Sequence, residues 1–437
     1  MNHAQFPSLA FPHLDKVELP DVTRVRFKRQ ASKAIENVEE AVRGEIQRSD
    51  RLKQMPKGAS IAVAVGSRGI AKIDLVARAT VQCLREMGHS PFVVPAMGSH
   101  GGGTAEGQKE VLAKLGMTEE SLGAEIRSSM EVVDYGETPD GARCKFDKIA
   151  AEADGIVVIN RIKSHTTFDR PIESGLVKMV AVGLGKAEGA RAVHRTGPDA
   201  FLRTLPNLAA IALDKAPVAL GIALVENAQK QLHIIEGVAP SDFFASDERL
   251  LKLAKSFIPR LPFEQLDALA VEQIGKDISG AGMDFAVTGR ADLRSMPNPA
   301  PFIARIAVLG LTKGTGGNGL GVGLADFTTL SVMERIDIQQ IYMNSLTSTM
   351  VEKSRIPIVL RNDKDALRAL VSTSWSKDDR STRFCQIRST LHLDEVLISA
   401  SLLEEARQSP LYGGEEDVGP LAFDSEGQLT SRAYVAG

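Results

Sequence analysis

The chain has 437 residues, 43% hydrophobic and 24% charged, with a formal net charge of -3. That length predicts two domains, and the ordinary globular usage excludes a disordered chain, a coiled-coil rod or a basic nucleic-acid binder. Three scattered cysteines, Cys83, Cys144 and Cys385, exclude a disulfide framework or a Cys-rich metal site and fit a reducing compartment.

In chain order, a polar lead contains an expected helix from Gln30 to Arg48, and Ser60 to Val65 then reads as a buried parallel strand. It ends at Gly66-Ser67-Arg68-Gly69, and the pattern of Ile73, Val76, Ala77, Val81 and Leu84 predicts a helix from Ala71 to Met87, stopped at Gly88. Pro91 to Met97 repeats the strand, leading into Gly98-Ser-His-Gly-Gly-Gly103 and a helix from Thr104 to Leu115. Two consecutive β-loop-α units predict a parallel sheet. A further strand, Gly155 to Ile159, opens into Asn160-Arg-Ile-Lys-Ser-His165 and the small, apolar segment Gly175 to Gly185. Pro217 to Val225 and Leu232 to Val238 read as two more strands, and the Pro-rich stretch Ile258 to Pro262 marks a boundary.

The expectation is an α/β protein of two domains, residues 1–262 and 263–437, with an active-site cleft between them and a mainly parallel sheet in the larger N-terminal domain. The second half adds strands at Ala268 to Ile274 and Ile306 to Leu311, a glycine-rich loop Gly314 to Gly323, and helices at Gln339 to Glu352 and Lys364 to Val371. Asp417 to Gly437 reads as a loosely ordered tail. No segment approaches the ~20 apolar residues of a membrane helix, and Met1 to Ala10 does not read as a signal peptide, so a cytoplasmic protein without a membrane partner is expected.

In open α/β sheets ligands gather beyond the carboxyl ends of the strands, where His100 and His165 fall, followed by His194. Imidazole trades protons near neutral pH and also binds metals, so the trio suits acid-base work or a metal, against the plain alternative of incidental loop histidines. Gly101 to Gly103 before a helix could admit a phosphate, or make a tight turn without ligand. Gly314 to Gly323 lacks the Lys-Ser/Thr ending of a phosphate loop. Lys178 stands among apolar residues, where it either snorkels or serves as a desolvated nucleophile. Arg68 could fork onto a carboxylate or make a surface ion pair.

Together these residues resemble the nickel-pincer lactate racemase family. The matching positions are Arg68 in Gly-Ser-Arg-Gly, His100 in Met-Gly-Ser-His-Gly-Gly, His165 in Asn-Arg-Ile-Lys-Ser-His, then Lys178, and His194 in Arg-Ala-Val-His-Arg. Residues 66 to 195 match closely, with a looser likeness at Gly275 to Asp284.

The resemblance implies a racemase or epimerase of a small 2-hydroxy acid. It also implies a nickel pincer nucleotide, a pyridinium mononucleotide held covalently on Lys178, with His194 as nickel ligand, His100 and His165 as the acid-base pair, and Arg68 on the substrate carboxylate. Cofactor-making proteins would be transient partners. The lactate enzyme has a Thr-Arg-Pro sequence where Ser67-Arg68-Gly69 stands, and polar substrate contacts near the position of Phe285, so a 2-hydroxy acid other than lactate is a competing expectation. Two alternatives use the same residues: a zinc-dependent hydrolase or lyase with His100, His165 and His194 on the metal, and a non-catalytic small-molecule binding protein of this fold.

Overall fold

Apolar runs in the first half become strands of one sheet because side chains buried on both faces leave no place for polar alternation. The computed structural model describes residues 5–28, 32–67, 69–165, 169–195, 202–291 and 301–434. It divides into two compact units, one of residues 31–165 with 169–257 and the other of residues 1–30 with 258–437.

In the first unit the strands lie in the order Ser90–Pro95, Ser60–Val65, Gly155–Arg161, Val218–Glu226, Leu232–Val238. The first four are mutually parallel and the last is antiparallel. Ser60–Val65 has its chain successor on one side and Gly155–Arg161 on the other, so the winding reverses between them. The carboxyl ends of strands flanking such a reversal are where open α/β sheets bind ligands.

The helix Ile73–Glu86 buries Val76, Ala77, Val81 and Leu84 against this sheet. Its end is the expected one: Gly88 takes φ +89°, and the His89 N–H bonds back to the Leu84 carbonyl at 3.0 Å. The helix expected from Gln30 is shorter, Val38–Arg48, because Asn37 caps it by accepting from the Glu40 N–H at 3.1 Å. An antiparallel hairpin, Val132–Glu137 with Arg143–Asp147, and the helices Thr204–Lys215 and Phe243–Ser256 complete the unit.

The second unit holds an eight-stranded mixed sheet in the order Ile358–Leu360, Phe327–Thr329, Phe302–Val308, Gln265–Val271, Phe384–Ser389, His392–Ser399, Val22–Phe27, Tyr412–Gly419. The first five strands run parallel and the last three join antiparallel. The expected division at residue 262 differs here, since Val22–Phe27 sits between two strands from the other end of the chain. The expected loose tail is also corrected: its first residues finish a strand, and Leu421, Leu429 and Ala433 are buried. Two buried carboxylates hold it by its backbone. Glu272 accepts from the Ala433 N–H at 2.6 Å and Asp363 from the Leu429 N–H at 2.9 Å.

The helix expected over 339–352 ends earlier, as Ile338–Ser348, where Thr349 turns to φ +61°. Asp363–Ser372, capped by Asn362, covers the last expected helix. Among the described residues no helix is long and apolar enough to cross a membrane.

Candidate active site

Small residues let the three loops beyond strands 60–65, 90–95 and 155–161 meet the segment that follows them. The Ala96 N–H bonds to the Val65 carbonyl at 2.8 Å, and the Gly98 N–H to the Gly183 carbonyl at 3.1 Å. A Cβ on Gly183 would lie 2.7 Å from the Ala96 carbonyl oxygen, and one on Gly66 3.0 Å from Met179 Cε. Side chains at these positions would push the 175–195 segment off the strand ends.

His100 is exposed at the head of its glycine run, and its Nδ1 is in direct hydrogen-bond contact with the Ser67 hydroxyl. A hydroxyl both donates and accepts, so this contact serves either charge state of the imidazole. The loop itself is held from behind. Buried Gln108 donates to the Gly98 carbonyl at 2.9 Å and the His100 carbonyl at 3.4 Å, while its own carbonyl accepts from Lys186 Nζ at 3.2 Å. Lys186 also donates to the Pro95 carbonyl at 2.7 Å and pairs with Asp147 Oδ2 at 2.8 Å, both side chains being fully buried. The ammonium thus has two hydrogen-bond acceptors and one ion-pair partner. Full burial thus falls on Lys186, paired with a carboxylate, whereas Lys178 is half-buried.

Gly101 to Gly103 all take positive φ, and a Cβ on Gly101 would lie 2.5 Å from the Gly107 backbone. Close packing on the helix Ala105–Lys114 accounts for that glycine without a ligand. Gly282 and Gly321 behave alike in the second unit, where a Cβ on either would strike the other loop's backbone, at 1.8 Å from the Leu320 oxygen and 2.1 Å from the Ala281 oxygen. The glycine-rich loop is thus a packing joint. Beside it, at the carboxyl ends of strands 265–271, 302–308 and 384–389, lies a recess of ≈ 230 Å³ lined by Gln273, Asp277, Thr312, Lys313 and Arg388, residues that sequence reasoning did not single out.

His165 is half-buried and its loop is organised by Glu173, whose side chain is fully buried. The carboxylate accepts from the His165 N–H at 2.5 Å, the Ser164 hydroxyl at 3.2 Å and the Arg170 N–H at 2.8 Å. Lys255 Nζ lies 2.5 Å from it and 2.6 Å from Asp169. Burial pushes the Glu173 carboxyl above its ordinary range, and these donors pull it back.

Lys178 ends the short helix Gly175–Lys178 and runs directly into a π-helical turn, Met179–Gly183, in which the Leu184 N–H reaches five residues back to the Met179 carbonyl at 2.8 Å. Such turns are frequent at functional sites. Asp247 receives the Leu176 N–H at 3.0 Å and the Val177 N–H at 2.8 Å, and Asn160 Nδ2 donates to the Gly175 carbonyl at 2.7 Å.

His194 lies in the helix Lys186–Arg195, its side chain outside the described set. Arg68 also lies outside the described residues. Its loop is tied by Glu226, which accepts from the Ala71 N–H at 2.7 Å and pairs with Arg161. Among the described residues no group of three or more His, Cys, Asp or Glu side chains converges as a metal cage.

Sequence reasoning missed Gln108, Asp147, Glu173, Lys186, Asp247 and Lys255. The one local signal was composition, in the form of charged residues inside otherwise apolar stretches such as Leu184-Gly-Lys-Ala187.

Comparison with known proteins bears on the same stretch. The family model described as the lactate racemase N-terminal domain matches residues 13–198. Among solved structures, the lactate racemase apoprotein from Thermoanaerobacterium thermosaccharolyticum is similar at 14% identity and a TM-score of 0.48, over 81% of this chain and 86% of that one. No curated protein matches. The matched residues include Arg68, His100, His165, Lys178 and His194. The likeness to the lactate racemase N-terminal domain thus covers residues 13–198, the stretch that carries every one of these positions.

Proposed function

We propose that this chain is a cytoplasmic racemase or epimerase of a small 2-hydroxy acid, served by a nickel pincer nucleotide on Lys178 that cofactor-making proteins deliver. The observation that carries the reading is the meeting of the Ser67–His100 contact and the π-helical segment after Lys178 at a reversal of sheet winding, inside the matched domain. The donor chemistry fits. Such a nucleotide brings its own carbon and sulfur donors and asks the protein for one amine and one imidazole. Lys178, half-buried on a backbone fixed by Asp247 and Asn160, offers the amine, and His194 on the next helix is the candidate imidazole.

When bound, the group supplies a pyridinium ring able to accept the carbinol hydrogen with its electron pair. The remaining work falls to the chain. Arg68 forks onto the substrate carboxylate and fixes the carbinol carbon. One imidazole, His100 or His165 according to the enantiomer, takes the hydroxyl proton as the carbon becomes planar, and the other, in its protonated form, gives one as the mirror-image carbinol re-forms. Two bases on two loops serve two enantiomers. Ser67 keeps the His100 ring oriented through either charge state, and Glu173 fixes His165 through its backbone. The substrate's distal group stays open among 2-hydroxy acids.

The test is intact mass and metal content of the chain produced with the cofactor-making enzymes, with peptide mapping at Lys178 and a racemisation screen of 2-hydroxy acids. An adduct on Lys178 with about one nickel per chain supports the reading. An unmodified Lys178 with bound zinc, lost equally in His100→Ala, His165→Ala and His194→Ala, overturns it in favour of direct zinc ligation.

A further inference from the structure

The helix Gly175–Lys178 is four residues long, too short to hold itself together in water. Its N-cap residue, Ser174, makes no side-chain cap. The first-turn N–H groups are satisfied instead from the helix Phe243–Ser256. Asp247 Oδ1 accepts from Leu176 at 3.0 Å and Oδ2 from Val177 at 2.8 Å, so both oxygens grip consecutive amides. Gly175, at φ +92°, completes the lock, since a Cβ there would lie 2.5 Å from Asp247 Oδ1. The carboxylate fills the volume that any other residue at 175 would need.

Asp247 is 1% exposed, and burial pushes its carboxyl up to about 7, against the pull of the two amides. A local Ser or Asp cap would satisfy the same amides at the surface without that desolvation. What Asp247 adds is rotational register. A helix turns about 100° per residue, so pinning the amides of 176 and 177 sets where the side chain of 178 points before the π-helical turn changes the pitch.

We propose that Asp247 is the positioning residue of Lys178, its buried carboxylate fixing the first turn of the Gly175–Lys178 helix and with it the direction in which Lys178 presents its amine. The proposal rests on the reading of Lys178 as the attachment point. Its test uses the full chain without cofactor, so the two can fail separately.

The measurements are amide hydrogen exchange at Leu176 and Val177, and the rate at which methyl acetimidate modifies Lys178 relative to exposed Lys109, mapped by peptide mass. Asp247→Asn keeps the shape but only one acceptor oxygen. It is expected to speed exchange at one of the two amides at least tenfold and to change the Lys178 to Lys109 labelling ratio at least threefold. Gly175→Ala displaces the carboxylate from the other side and is expected to do the same. Faster exchange with an unchanged labelling ratio in both variants would make Asp247 a plain helix cap and overturn the proposal. Loss of the far-UV signal of the fold in both would assign Asp247 to stability alone and also overturn it. A responsive ratio, together with no adduct on Lys178 in chain made with the cofactor-making enzymes, would leave Asp247 as positioning residue and sink the cofactor reading instead.

Discussion

Replacing Lys186 by methionine keeps the length of the side chain and removes its charge. Two acceptors then lose their donor, the Pro95 carbonyl at 2.7 Å and Gln108 Oε1 at 3.2 Å, and Asp147 Oδ2 loses its ion-pair partner at 2.8 Å. Asp147 is the expensive one, because among the described residues its fully buried carboxylate then keeps just the Ala150 N–H at 2.9 Å. Removing one partner of a buried pair costs about 3–5 kcal/mol, most of it the stranded charge. With a urea dependence of roughly 2 kcal/mol per molar, the unfolding midpoint of this unit should fall by about 1.5–2.5 M.

Adding Asp147→Asn removes the stranded charge, so the double variant should recover about 1–3 kcal/mol relative to the sum of the singles. Far-UV circular dichroism is the probe, because the single tryptophan, Trp375, belongs to the other unit. Costs that add to within about 0.5 kcal/mol, or a single-variant loss under about 1 kcal/mol, would refute the pairing as the source of stability. Because Gln108 joins Lys186 to the Gly98 and His100 carbonyls, Lys186→Met should also lower kcat more than it raises KM.

Ser67→Ala removes the hydroxyl partner of His100 and should lower kcat about tenfold, the worth of a hydrogen bond of about 1–1.5 kcal/mol, which steady-state kinetics would show. Asp247, raised to about 7 in the folded chain from 3.8, holds a proton there that the unfolded chain has already released. Stability should therefore fall as pH rises from about 4 to about 7, and urea midpoints across that range should be flatter in Asp247→Asn. Arg68→Lys should raise KM for the 2-hydroxy acid with a smaller change in kcat, since an ammonium cannot reproduce the planar fork, and unchanged kinetics would remove Arg68 from the site.

Ser60–Val65, Gly155–Arg161 and the 218–238 hairpin were readable because buried strands are continuous apolar runs, and the helix 73–86 because its apolar positions share a face and Gly88 ends it. The positions of His100, His165 and Lys178 in the chain were readable too, but not what holds them. Lys178 drew attention through its apolar neighbours, yet full burial belongs to Lys186, whose partner Asp147 lies in a hairpin with no sequence link to it. Glu173, Asp247 and Lys255 look like surface charges in a one-dimensional pattern, and only the packing of the helix Phe243–Ser256 turns them inward. The tail read as loose because its anchors, Glu272 and Asp363, sit far upstream.

The strand Val22–Phe27 gives the chain a temporal constraint. Its partners, His392–Ser399 and Tyr412–Gly419, are made only after all of residues 31–257 has been synthesised. Residues 31–257 can therefore begin folding while synthesis continues, but the eight-stranded sheet stays open until Tyr412–Gly419 is made, and Val22–Phe27 must wait as an unsatisfied edge. A fragment ended at 262 would keep that edge for good, and one started after residue 30 would leave two later strands without the neighbour between them. Halves divided at the apparent linker should each aggregate.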